Sequence, residues 1–169
     1  MLALFLLALA FLPMMFEAGL AARHDRALRS LGAYEPPDDV FPLMQVAYPA
    51  AFLGMALEAW IHPARADAVF AAGLIVFVAA KWIKYWAITT LGSRWTFRVL
   101  VPPYSSRITT GPYRFMRHPN YLGVMGELLG MALMAHAPLA GGASVIIFGV
   151  LIAARIRVEE RALGLRESP

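Results

Sequence analysis

The sequence predicts an all-α integral membrane protein of about five transmembrane helices, folded as a single membrane domain over residues 1–169. Three observations carry this expectation. Hydrophobic residues make up 60% of the chain and charged residues only 15%, where a soluble domain carries about a quarter of its residues charged. Five apolar runs approach the length of about 20 residues that a helix needs to cross a bilayer. The basic residues are also sorted to one side of those runs, as membrane topology requires.

The first run covers residues 1–22 and is apolar except for Glu17. A secretory signal would place positive charge ahead of its apolar core. Here the first cluster, Arg23, Arg26 and Arg29, follows the run. It reads as an uncleaved membrane helix with its N-terminus outside. The second and third runs cover roughly 41–62 and 67–90, and Pro49 is a kink position in the second, since proline removes a backbone donor. These three helices form an N-terminal part, 1–90. The fourth and fifth runs, about 119–136 and 138–158, are joined by Ala137-Pro138 and read as a tight helical hairpin. With the N-terminus outside, 14 of the 15 lysines and arginines fall on the inner side, Lys81 and Lys84 included, and only Arg65 falls outside. The C-terminus is thus expected in the cytoplasm, with a bacterial inner membrane as the setting.

Composition removes several function classes. The chain has no cysteine, so neither a disulfide framework nor a thiolate metal site is available, and no metal is expected. The net charge of +4 accompanies basic residues that flank apolar runs, which suits anionic lipid headgroups and not nucleic acid. No strand and glycine-rich turn precedes a helix, which excludes a soluble dinucleotide-type fold.

Chemistry concentrates in residues 91–169. The stretch Leu91–Met116 is too polar to cross and too long for a turn, and such loops are usually functional. It leads into Gly111-Pro112-Tyr113, then Arg117-His118-Pro119-Asn120-Tyr121-Leu122-Gly123. Pro119 suits the first turn of a helix. His118, Tyr121 and Leu122 then share one helix face, and Arg117 stands at the helix mouth, where its fork of donors suits a carboxylate. A second cluster, Arg155, Arg157, Glu159, Glu160 and Arg161, ends the fifth helix. Its spacing also permits plain intrahelical ion pairs. Glu17, Glu58 and Glu127 fall inside membrane runs, where an acid must face the bundle interior or water. Glu17 and Glu58 lean toward structural roles. Glu127, beside the small-residue row Gly123, Gly126 and Gly130, divides evenly between interhelical contact and a site role.

The two clusters, with Leu91-Gly92-Ser93-Arg94-Trp95-Thr96 upstream and Glu159-Glu160-Arg161-Ala162-Leu163 downstream, resemble the isoprenylcysteine carboxyl methyltransferase family. The upstream stretch and Glu127 look most like its bacterial branch, which includes alkylpyrone O-methyltransferases. The likeness covers roughly Leu91 to Leu163. It implies an enzyme that uses S-adenosylmethionine, bound by Tyr113, His118, Tyr121, Leu122, Glu159 and Glu160, with Arg117, Glu127 and Arg157 in catalytic roles. It also implies a lipophilic or prenylated acceptor, methylated on a carboxylate or hydroxyl and reached from the membrane lipids. A phenol or enol would need a base, for which His118 and Glu127 both qualify. Two rivals stay open at this stage. One is a nicotinamide-dependent membrane lipid or sterol reductase, which shares an Arg-His-x-x-Tyr element. The other is a non-catalytic membrane adaptor.

Overall fold

A computed structural model describes residues 2–103 and 108–164 of the chain. Ser105, Ser106, Arg107 and Arg166, which figured among the polar loop and inner charges, lie outside the described residues. The architecture is five α-helices: α1 (Leu2–Ser30), α2 (Phe41–Ile61), α3 (Ala68–Leu91), α4 (Pro119–Ala135) and α5 (Pro138–Ala162). Three of them, α1, α3 and α5, are long and apolar enough to cross a membrane by length and composition. Large apolar side chains stand outward on the bundle, among them Met15, Ile75, Ile146 and Leu139. An apolar exterior around an apolar core is what a lipid-embedded bundle presents.

The helix limits follow local signals. Asp67 caps α3 by accepting from the Val69 and Phe70 amides at 2.9 and 3.0 Å, and its carboxylate is held below the usual range by the Phe70 amide and then by His136. The α4–α5 link is as tight as expected: α4 ends at Ala135, His136 takes a left-handed conformation with φ 49°, and α5 begins at Pro138. Glu58 caps the other side of that hairpin, accepting from the Leu139 and Ala140 amides at 3.1 and 2.7 Å. It satisfies the orphan donors that begin a helix, which is the structural role foreseen for it. α2 runs through Pro49 without a break.

α1 is the clearest departure from the expected limits. It continues eight residues beyond Ala22, to Ser30. The charged extension stays helical because it packs on one side: Ala21 and Leu28 are buried, and the His24 ring bonds the Trp95 carbonyl at 2.8 Å. Residues 31–40 then return to α2 and pair with the long loop through an isolated antiparallel bridge between Tyr34 and Val101. Glu35 ties the same region together by accepting from Arg29 and, at 2.8 Å, from Arg98.

The α3–α4 contact is the closest in the bundle. A Cβ added to Gly130 would lie 2.6 Å from the Phe77 nitrogen, one on Gly126 2.7 Å from the Ala80 Cβ, and one on Gly123 2.8 Å from the Lys84 Cβ. The glycine row therefore lets two backbones touch. It leaves no gap for a lipid chain.

Beside this seam lies a group of charges. Lys81 and Lys84, counted as inner-surface cations from sequence, are instead enclosed by the bundle. Lys81 Nζ stands 2.9 Å from Glu17 and 3.0 Å from Glu127; Lys84 Nζ stands 2.6 Å from Glu17 and 3.2 Å from Glu127. The Tyr48 hydroxyl donates to Glu127 at 2.6 Å. Two acids and two lysines from α1, α3 and α4 thus close an alternating ring. The lysines lie about two and three turns inside the helix end, because the pairing replaces the water they would otherwise seek.

Candidate active site

The 31–40 loop, residues 92–103 and 108–118, the start of α4 and the end of α5 meet at one end of the bundle. Gly111 opens a 3₁₀ turn over Gly111–Arg114. Its φ of 56° and its contact with the Thr90 side chain leave no room for a Cβ. That turn brings Tyr113 against the α4 entrance. Pro119 starts α4 directly after His118, so the His118 and Tyr121 rings stack, with centroids 5.6 Å apart.

From this pair a chain of polar contacts runs to α5 and on to the N-terminal half. The Tyr121 hydroxyl donates to Glu159 at 2.7 Å and accepts from Arg155 Nε at 2.9 Å. Arg155 is buried, donates to Asp39 at 2.7 Å and also donates to the Phe97 carbonyl. Asp39 further accepts from the Phe41 and Val99 amides at 3.1 and 2.9 Å. His118 stands 3.7 Å from Glu159 and 3.4 Å from Glu160, and Arg117 approaches Glu160 at 3.5 Å. Burial, followed by the nearby Glu159 carboxylate, pushes the Tyr113 phenol well above its usual range. Tyr113 therefore remains a hydrogen-bond donor at neutral pH.

Two cavities adjoin this network. The first, of about 170 Å³, is lined by Arg94, Tyr113, Arg117, His118, Tyr121 and Glu159 among others. The second, of about 580 Å³, lies between α1 and α2 and is lined by Met14, Glu17, Ala18, Ala22, Met44, Tyr48, Lys84 and Phe148 among others. Trp95, Thr96, Arg98, Asn120, Tyr121 and Arg155 line both. They form a common wall one side chain thick.

The structure brings Tyr113, Arg117, His118, Tyr121 and Glu159 to the first cavity, with Glu160 behind His118. It does not bring in Leu122, which is 48% exposed on the outer side of α4, or Arg157, which is exposed on α5. Arg155 stands where Arg157 was expected. Glu127 belongs to the charge ring and lines neither cavity. Asp39 was not singled out from sequence; its only local signal is its place after Pro36-Pro37, a stiff turn that fixes its direction. Among the described residues no cluster of side chains suited to a metal ion occurs.

A helical membrane bundle with a pocket lined by polar and aromatic side chains at one end and a second, larger cavity behind it is the class that fold and site define. The sequence profile of the isoprenylcysteine carboxyl methyltransferase (ICMT) family matches residues 73–164, and the chain belongs to that family. It is similar to the uncharacterized protein YpbQ of Bacillus subtilis, with 27% identity over 158 residues covering 94% of each chain. It is also similar to an uncharacterized protein of Haemophilus influenzae, with 25% identity over 88% of this chain and 87% of the other. Protein-S-isoprenylcysteine O-methyltransferase A of Arabidopsis thaliana is 31% identical over 90 residues, 52% of this chain and 46% of the plant protein. No solved structure matches the chain.

Proposed function

We propose that the protein is a membrane-embedded methyltransferase that takes S-adenosylmethionine in the first cavity and a lipophilic acceptor in the second. The single observation that carries this reading is the shared wall. The two cavities meet at Asn120, Tyr121 and Arg155, so two substrates, one arriving from water and one from lipid, can come together there.

The residues suit the donor. Glu159 and Glu160 offer carboxylates for an ammonium or for ribose hydroxyls. The stacked His118 and Tyr121 rings, with Tyr113 opposite, offer faces for a base or a cation. Arg117, 60% exposed at its side chain, is placed to meet a carboxylate arriving from water. When bound, the donor supplies a methyl group on a cationic sulfur, ready for displacement by an acceptor oxygen. The protein's contribution is then to orient and to exclude water. Arg155, fixed by Asp39 and Phe97, holds the Tyr121 hydroxyl in place and turns it toward Glu159. The same guanidinium faces the second cavity, where it orients a carboxylate or a phenolic oxygen. The acceptor chain lies between α1 and α2, where exposed Ala18, Ala22 and Gln45 leave the chamber open at its side. The C-terminus faces the cytoplasm in this arrangement, on the side where the donor is dissolved.

The first cavity is smaller than the ~300–1,000 Å³ of ordinary small-molecule sites, so donor binding has to displace side chains along its rim, and Trp95 reports that shift. Titration of detergent-purified protein with S-adenosylmethionine should give saturable heat and a change in tryptophan emission. Glu159→Ala and His118→Ala should each weaken binding by about tenfold or more, ~1.4 kcal/mol. Unchanged affinity in both variants would remove these residues from the pocket.

A further inference from the structure

We propose that Asn120 selects the reacting group of the acceptor: its amide nitrogen donates to the oxygen that takes the methyl group, and Trp95 is the positioning residue that turns that nitrogen toward it. This deepens the reading of the two cavities as donor and acceptor sites and rests on it.

Trp95, Thr96, Arg98, Asn120, Tyr121 and Arg155 line both cavities, and most of their donors are already engaged. The Thr96 hydroxyl donates to the Arg98 carbonyl at 2.6 Å. Arg98 pairs with Glu35, and Tyr121 donates to Glu159. Each nitrogen of the Arg155 guanidinium has an acceptor. Trp95 Nε1 donates to Asn120 Oδ1 at 3.3 Å. Asn120 Nδ2 is different. Among the described residues nothing accepts from it, and it is not one of the buried polar atoms that lack a partner, so it opens onto the cavities that Asn120 lines.

The direction of the amide is fixed from behind. An indole N–H has no lone pair to offer, so it can meet only the oxygen end of an amide. Oδ1 therefore faces Trp95, and Nδ2 faces away from it. Trp95 is held in turn: it is 3% exposed, packs edge-on against Phe97, and its carbonyl bonds the His24 ring at 2.8 Å.

Chemistry follows from that direction. An amide nitrogen brings two hydrogens and no lone pair. Its partner must supply lone pairs, as an ionised oxygen does. A protonated amine brings only hydrogens and leaves the amide unpaired, which is a strong ground for rejection. The oxygen spends one lone pair on Asn120 and another on the methyl carbon. There a C–O bond forms as the C–S bond breaks, the electron pair of the broken bond stays on sulfur, and the sulfur leaves as a neutral thioether. An oxygen that arrives ionised releases no proton. A neutral donor holds it in line without cancelling its charge as another cation would.

Hexadecanoate and hexadecylamine test this, because they share a chain and differ in whether the head accepts or donates. Affinities are measured by calorimetry near neutral pH on detergent-purified protein loaded with S-adenosylhomocysteine, which fills the donor pocket and transfers no methyl. Wild-type protein should prefer hexadecanoate by about tenfold or more, ~1.4 kcal/mol. Asn120→Asp keeps an oxygen for Trp95 and sets a second oxygen where the nitrogen was. It should lower the preference by at least about tenfold, with adenosylhomocysteine affinity held within about threefold. Trp95→Phe drops the indole N–H and frees the amide to turn, so the preference should fall by about threefold, which loss of packing alone would not produce. If Asn120→Asp does not fold, the uncharged Asn120→Leu takes its place, and the preference should again fall. An unchanged preference in a folded variant overturns the assignment, as does wild-type protein that binds adenosylhomocysteine but does not favour hexadecanoate. Loss of adenosylhomocysteine affinity at an unchanged melting temperature puts the amide in the donor pocket and also overturns it. Wild-type protein that does not bind adenosylhomocysteine fails at the earlier step, and the methyltransferase reading falls first.

Discussion

Tyr121 is the residue on which the two chambers turn. Its hydroxyl is shared between Glu159 at 2.7 Å and Arg155 at 2.9 Å, and its ring separates the cavities. Hydrogen bonds to charged groups contribute about 1.5–3 kcal/mol each. Tyr121→Phe keeps the ring and removes both bonds, so donor affinity should drop by roughly tenfold, measured by calorimetry, with the fold preserved. Retention of full affinity would show that Glu159 is held by other means. His118, Tyr121 and Glu159 were legible in the sequence because each stands in a short motif whose spacing survives folding. Arg155 and Arg157 were not separable in that way. They sit two positions apart on one helix, about 200° around its axis, and only the packing of Tyr121 and Asp39 against α5 decides which points inward. Asp39 meets Arg155 across 116 positions, a separation at which no local pattern operates.

Among the elements, the α3–α4 seam and the α1–α2 cleft behave in opposite ways. The small-residue row on α4 is closed by backbone contact with α3. Gly130→Ala should therefore destabilise the whole bundle by about 1–3 kcal/mol, as overpacking does, lowering the melting temperature and reducing turnover and donor binding together. Ala22→Phe on α1 should instead narrow the open cleft. Methylation of a long-chain acceptor should fall severalfold while donor binding holds, and equal losses on a chain-free headgroup analogue would refute lateral access. The loop clip at Glu35 adds a pH dependence. Burial raises its carboxyl's affinity for a proton, but the bonds from Arg29 and Arg98 outweigh this and hold Glu35 below the usual range. Its contribution is present above the unfolded value of about 4.3 and is lost as pH falls through the lower folded value. Hydrogen exchange at Tyr34 and Val101, which bond each other's backbones at 2.9 Å, should accelerate in that acid window and not at neutral pH. The length of α1 could not be read this way, because its last turns carry Arg23, Asp25, Arg26 and Arg29 and resemble a loop until Leu28 finds its partner surface.

For the whole molecule, the apolar runs made the five helices legible, and three of them, α1, α3 and α5, are long and apolar enough to cross a bilayer. The sorting of the arginines predicts a cytoplasmic C-terminus: a reporter fused after the C-terminus and active only in the cytoplasm should give signal, and an external signal would overturn the prediction. Lys81 and Lys84 contribute less to that sorting than their number suggests, because Glu17 and Glu127 neutralise them within the bundle. What no run of residues disclosed was the ring itself, whose members come from three helices. That ring also has a history in time. Glu17 is synthesised 64 residues before Lys81, an interval of roughly 3–13 s at ordinary rates of about 5–20 residues per second. During those seconds α1 holds an acid at membrane depth with no cation to meet it. An unpaired ionised carboxylate is costly in hydrocarbon, so replacing Glu17 with leucine should let the first helix settle into the bilayer sooner, before the third has left the ribosome.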